Sequence, residues 1–144
     1  MVQVHASAAT LALLIGPWIF LFGKGNKRHR LLGYVFVSAM LLVNLTAFTI
    51  YELTGGPNLF HVLALVSLTT VCVGLYYIRR GDVAEHRVYM SWAYAGLLIA
   101  LVTRLAPYLP LPFWASSLTL ISVAYVLAYL VIQRAFFPRS PSQT

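Results

Sequence analysis

Residues 5–30, HASAATLALLIGPWIFLFGKGNKRHR, and residues 61–87, HVLALVSLTTVCVGLYYIRRGDVAEHR, are two versions of one phrase. A histidine opens each, eighteen residues follow, and a basic residue with a glycine closes the apolar run at Lys24-Gly25 and Arg80-Gly81. After three or four intervening residues comes a His-Arg pair, at His29-Arg30 and His86-Arg87. All four histidines of the chain belong to this pattern. An apolar stretch, a short basic turn and a second apolar stretch describe a helical hairpin. Its repetition describes two hairpins that cross a membrane in the same sense. The fold class that follows is an all-α membrane protein, with a four-helix transmembrane core built from two tandem hairpins and a fifth transmembrane helix after them.

Composition agrees with this reading. Hydrophobic residues make up 60% of the 144 and charged residues 9%, and the mean hydropathy is +0.82, far from the values of water-soluble domains. Apolar runs cover residues 6–23, 31–51, 60–78, 88–106 and 113–133. Each suits a helix of about 20 residues crossing ~30 Å of hydrocarbon. Strand-like alternation is missing, so helices and not a barrel are the spanning elements. The first run lacks basic residues before it and a small-residue cleavage pattern after it, so it is expected to be retained rather than removed as a signal peptide.

The boundaries predicted are a core over residues 1–106 (repeat 1 about 5–50, repeat 2 about 61–106), a fifth transmembrane helix over 107–137 and a polar tail over 138–144. Gly-containing turns separate the helices within each hairpin, and Thr54-Gly55-Gly56-Pro57-Asn58 reads as the turn between hairpins. Pro107, Pro110 and Pro112, with Tyr108 and Trp114 nearby, break the chain at an interface where aromatic rings prefer to lie. The fifth helix carries Ser116, Ser117, Ser122, Tyr125 and Tyr129 and reads as a packing or interaction helix.

The formal charge of +7 could suggest nucleic acid, but its distribution argues against it: the basic residues mark helix ends and not a soluble face. Lys24, Lys27, Arg28 and Arg30 lie in the first turn, Arg79, Arg80 and Arg87 in the second, and Arg134 and Arg139 follow the last run. With five spans these places share one side, and Arg104 and Glu52 fall on the other. The positive-inside rule then puts the N-terminus outside and the C-terminus in the cytoplasm, in what reads as a bacterial inner membrane. Cys72, the one cysteine, forms no internal disulfide and is expected to be a small packing residue.

Histidine placement is the functional signal. Nineteen positions separate His5 from Lys24, about 28 Å along a helix, so the two histidines of one hairpin lie near opposite faces and cannot share a small ligand. Partners have to come from the other hairpin, which pairs His5 with His61 and His29 with His86. Two axial imidazoles are what a b-type haem iron accepts, and a four-helix bundle can hold the macrocycle between facing helices. The competing reading has His29 and His86 as interfacial residues facing phosphate headgroups, and a duplication would preserve the spacing without a cofactor.

Positions four residues on share a helical face with each histidine. They are Ala9, Gly33, Leu65 and Met90, small in the first hairpin and bulky in the second. Gly33 leaves room for a flat ring or for close helix packing. Arg30 and Arg87 suit haem propionates or lipid phosphates, and the other basic-turn residues suit anionic lipid. Arg104 suits an outer propionate or a quinone carbonyl, or snorkels to the interface. Asn44, Thr46, Thr69 and Thr70 read as interhelical hydrogen-bonding groups. Asp82 and Glu85 read as local partners of Arg79 to Arg87. Aromatic residues from Trp18, Phe20 and Phe22 through Tyr34, Phe36, Tyr76, Tyr77, Tyr89, Trp92 and Tyr94 read as a belt.

At HRLLG (29–33) and RRGDVAEHRVYM (79–90) the chain resembles a family of small bacterial membrane proteins of unknown function, over roughly residues 5–106. More distantly, the alternate-helix histidines resemble the transmembrane di-haem b-type cytochromes of the ascorbate-reducible and ferric-reductase kind, which pass electrons between two haems. That likeness implies haem b, one or two copies, with His5 and His61 on an outer haem and His29 and His86 on an inner one. It implies an electron carrier, a membrane oxidoreductase with a quinone or other redox partner. The alternative is a non-catalytic accessory subunit of a larger membrane complex, whose histidines are interfacial or ligate a pigment or metal. Copper or zinc handling is a third reading, weakened by the dispersal of Met40, Met90 and Cys72.

Overall fold

Asparagine and aspartate set the helix starts that hydrophobicity leaves vague. Asn26 is extended (φ −80°, ψ 174°) and its side chain accepts from the His29 amide at 2.8 Å. Asp82 does the same for the Glu85 amide at 3.1 Å. Each satisfies one of the amides that a first helical turn leaves without a partner. The helices therefore begin about one turn before the apolar runs at 31 and 88, and they carry His29 and His86 inside their first turns.

The computed structural model describes residues 1–21, 25–51, 55–56 and 58–136. Among these residues the elements are all helical: α1 (Val2–Leu21), α2 (Lys27–Ala47), α3 (Leu59–Arg79), α4 (Val83–Val102), a 3₁₀ segment (Thr103–Tyr108) and α5 (Phe113–Phe136). Five stretches are long and apolar enough to cross a membrane, the shortest 19 and the longest 26 residues. Phe22, Lys24, Glu52, Thr54, Pro57, Arg139 and the polar tail 138–144 lie outside the described residues.

The chain divides into two compact units, Met1–Val73 and Gly74–Thr144, so that α3 contributes to both. In the first unit α1 packs along α2. Ala8, Ala12 and Gly16, four residues apart, form the buried stripe of α1, and Phe36, Ala39, Met40 and Val43 are buried on α2. Small residues at this spacing let two backbones approach closely. In lipid, that close packing and not expulsion of water holds helices together. Large apolar side chains such as Leu14, Leu45 and Val66 stay exposed, as a lipid-facing surface requires.

In the second unit α5 packs on α4 and on the 3₁₀ segment. Trp92 and Tyr125 stack at 5.1 Å across the α4–α5 contact. Ser116 and Ser117 are buried on α5, as are Thr103 and Ala106 in the 3₁₀ segment. The end of α3 meets α4 at Gly74, where a Cβ would lie 2.9 Å from the Met90 Sδ and 3.3 Å from the Tyr89 Cβ. A side chain here would push the Met90 thioether aside and crowd the Tyr89 Cβ, so glycine makes the close approach easiest.

Several expectations change. The fourth span does run through 106, to Tyr108, but within it the α-helix ends at Val102 and tightens to 3₁₀, where Pro107 supplies no N–H. Cys72 is exposed on α3 and is no packing residue. The hydroxyls of Thr69 and Thr70 bond carbonyls of their own helix, those of Leu65 and Ser67, and not a neighbouring helix. Asn44 is buried, with no hydrogen-bond partner for Nδ2 among the described residues. Asp82 caps α4, and neither it nor Glu85 forms an ion pair with Arg79, Arg80 or Arg87. Close packing through glycine occurs at Gly74, whereas open space surrounds Gly33.

Candidate functional site: anchored imidazoles

His5 lies in the first turns of α1 and reaches across to the C-terminal end of α2. Its Nδ1 is 3.1 Å from the Val43 carbonyl oxygen and 3.2 Å from the Thr46 hydroxyl oxygen. The Thr46 hydroxyl donates to the Leu42 carbonyl, so its oxygen is an acceptor toward the imidazole, as is the Val43 carbonyl. Nδ1 consequently carries the ring proton, and the lone pair of the neutral ring belongs to Nε2. The anchor comes from the same hairpin, whereas sequence spacing directed attention to the other one.

His86 repeats this chemistry in the second unit. Its Nδ1 donates to the Gly74 carbonyl at 2.8 Å, so Nε2 again holds the lone pair. Gly74 therefore has two roles: its carbonyl orients His86, and its missing side chain accommodates Met90, one turn further along α4. The bulk expected beside His86 is absorbed by a glycine on the facing helix.

His61 is held differently. Asn58 precedes it by three residues and accepts from the Phe60 amide at 2.9 Å, capping the start of α3. The His61 Nδ1 lies 3.1 Å from the Asn58 amide nitrogen and 3.2 Å from the Asn58 side-chain oxygen. One of these neighbours is a donor and the other an acceptor, so both neutral tautomers find a partner. Tyr51 stacks on the ring at 5.1 Å, and Phe48 lies tilted at 6.1 Å. Nε2 is buried and meets no hydrogen-bonding group among the described residues.

Both His5 and His61 thus contact the stretch from Val43 to Tyr51, where α2 ends. His29 lies half-buried in the first turn of α2, in the first unit, and His86 in the second. Arg30, Arg87 and Arg104 are all exposed, Arg104 within the 3₁₀ segment. Among the described residues no three His, Cys, Asp or Glu side chains converge on one point, so the arrangement offers imidazoles singly or in pairs.

Thr46, Asn58 and Gly74 were not identified from sequence as partners of histidine. Asn58 had a usable signal, because Asn-x-x-His also occurs at Asn26–His29. A glycine inside the apolar run of α3 also marks a close approach.

These helices and this distribution of charge are those of an integral membrane protein with five candidate spans. The chain belongs to the family described as predicted membrane protein (DUF2306), whose model matches residues 2–137. Comparison with curated proteins and with solved structures gives no match.

Proposed function

We propose that the protein is a b-type haem membrane protein that carries electrons, in which His5 and His61 near the end of α2, and His86 in the second unit, would hold the group. The supporting observation is the hydrogen bonding of Nδ1. An imidazole that ligates iron through Nε2 is ordinarily held at its other nitrogen by a carbonyl or carboxylate, which fixes the tautomer and raises basicity. His5 and His86 have that arrangement on backbone carbonyls. His61 acquires it when its Nδ1 proton faces the Asn58 side-chain oxygen.

The donor set fits the group. Neutral imidazole suits haem iron, and the buried His61 Nε2 without a partner is a position that a metal bond would satisfy. Haem, when bound, supplies one-electron exchange. The chain's own contribution is to hold the rings: Thr46 and Val43 fix His5, Asn58 and the Tyr51 ring fix His61, and Gly74 fixes His86. Exposed Arg30, Arg87 and Arg104 are available to anionic groups at the membrane boundaries, propionates among them.

Absorbance of the detergent-purified protein tests this. The expected result is a Soret band that shifts on dithionite reduction and weakens in His5→Ala, His61→Ala and His86→Ala. A protein expressed with ample haem that shows no Soret band overturns the proposal and leaves the accessory-subunit reading.

A further inference from the structure

Four arginines gather at one end of the second unit: Arg79 and Arg80 at the close of α3, Arg87 in the second turn of α4 and Arg134 near the end of α5. All four are exposed. Helix electrostatics does not account for Arg87, since the N-terminal end of a helix favours negative groups. Nor do acidic neighbours account for the cluster, because none of these arginines forms an ion pair among the described residues.

Two of the guanidiniums are held by aromatic rings instead. The Arg80 Cζ lies 4.9 Å from the Tyr76 ring centroid, and the Arg87 Cζ lies 5.2 Å from that of Phe136 on α5. Stacking restricts the side chain without consuming its N–H groups, so the planar donor fork remains available for two oxygens at once. Beneath Arg80, Tyr76 meets Tyr77 edge-on at 5.6 Å, and Tyr77 stacks on Tyr89 of α4 at 5.4 Å. This is an apolar wall of rings under a cationic rim, located where a 21-residue apolar helix ends.

We propose that this end of the second unit is a binding site for an anionic phospholipid, with the phosphodiester on Arg80 and Arg87 and the upper acyl chain along the Tyr76–Tyr77–Tyr89 rings. The argument is complementarity at both levels: bidentate guanidinium donors match phosphate oxygens, and a cationic rim over aromatic rings matches a charged headgroup over hydrocarbon. A water-soluble phosphate would satisfy the rim alone. The site uses none of the imidazoles and shares only Arg87 with the propionate role suggested above, so lipid retention and the Soret band report on the two proposals separately.

Native mass spectrometry of the full chain, with phosphatidylglycerol, phosphatidylcholine or inorganic phosphate added in equal amounts, reads the site directly. Phosphatidylglycerol is expected to be retained at least fivefold more than phosphatidylcholine, and inorganic phosphate not to compete. The double variant Arg80→Ala/Arg87→Ala should lose that preference, and Arg80→Lys/Arg87→Lys, which keeps charge without the fork, should lose most of it. Arg104→Ala should keep it. Equal retention of the two lipids by the unaltered protein, or an undiminished preference in the double alanine variant with helicity intact, overturns the proposal. Competition by inorganic phosphate replaces the lipid with a free anion and equally overturns it.

Discussion

His5 and His86 show the same bond made in opposite directions. In the first hairpin the histidine is on the leading helix and the carbonyl on the trailing one; in the second the histidine trails and the carbonyl leads. Sequence spacing equates His5 with His61, yet His5 bonds to a neighbouring helix, as His86 does, while His61 bonds to Asn58 at the start of its own helix. Position three residues before the ring explains part of this. Asn58 stands there for His61, whereas Val2 stands there for His5 and offers no side-chain acceptor, so the His5 ring turns to the neighbouring helix. Equivalent positions in the repeated pattern, His5 and His61, thus make different bonds.

The two anchors also rest on different packing. On α1 the buried residues form the Ala8-Ala12-Gly16 stripe, whereas α3 and α4 approach closely at Gly74. Ala12→Leu should be the most damaging change, because Ala12 has no exposed surface and forcing added methylenes into such a contact costs ~3 kcal/mol. Thermal unfolding in detergent, followed by circular dichroism, reads the loss, and an unchanged midpoint would show the stripe to be loosely packed. Gly74→Val should cost less, ~2 kcal/mol, since the flexible Met90 can retreat while the Tyr89 Cβ cannot. It should also displace the His86 ring, seen as a shifted imidazole NMR resonance. Thr46→Val removes one of two acceptors for His5 while keeping shape. A fall of only ~0.6 kcal/mol is expected, the average for side-chain hydrogen bonds within membranes. A larger loss than that at Gly74 would invert the comparison.

The spans were legible because membrane crossing leaves a mark on every residue of a segment: twenty apolar positions are hard to mistake. Helix starts were less so, since Asn26 and Asp82 act through a single oxygen each. The histidines were evident as candidates, but their partners were not. Two of the three anchors are backbone carbonyls, which all residue types possess, so the identity of Val43 or Gly74 carries no sign of the role. The exposure of Cys72 was hidden for a related reason, because in lipid an apolar helix face does not announce which side is buried.

Handedness, not space, distinguishes Gly25 and Gly81. Their φ values are +80° and +81°, and a Cβ built on either would meet nothing within 4 Å. Volume therefore imposes no restriction at these turns; chirality alone does, at ~1–2 kcal/mol for an ordinary L-residue. A D-alanine introduced by chemical synthesis would be accepted at both places, and the mirror preference would favour the reversal of chain direction that brings each pair of helices together.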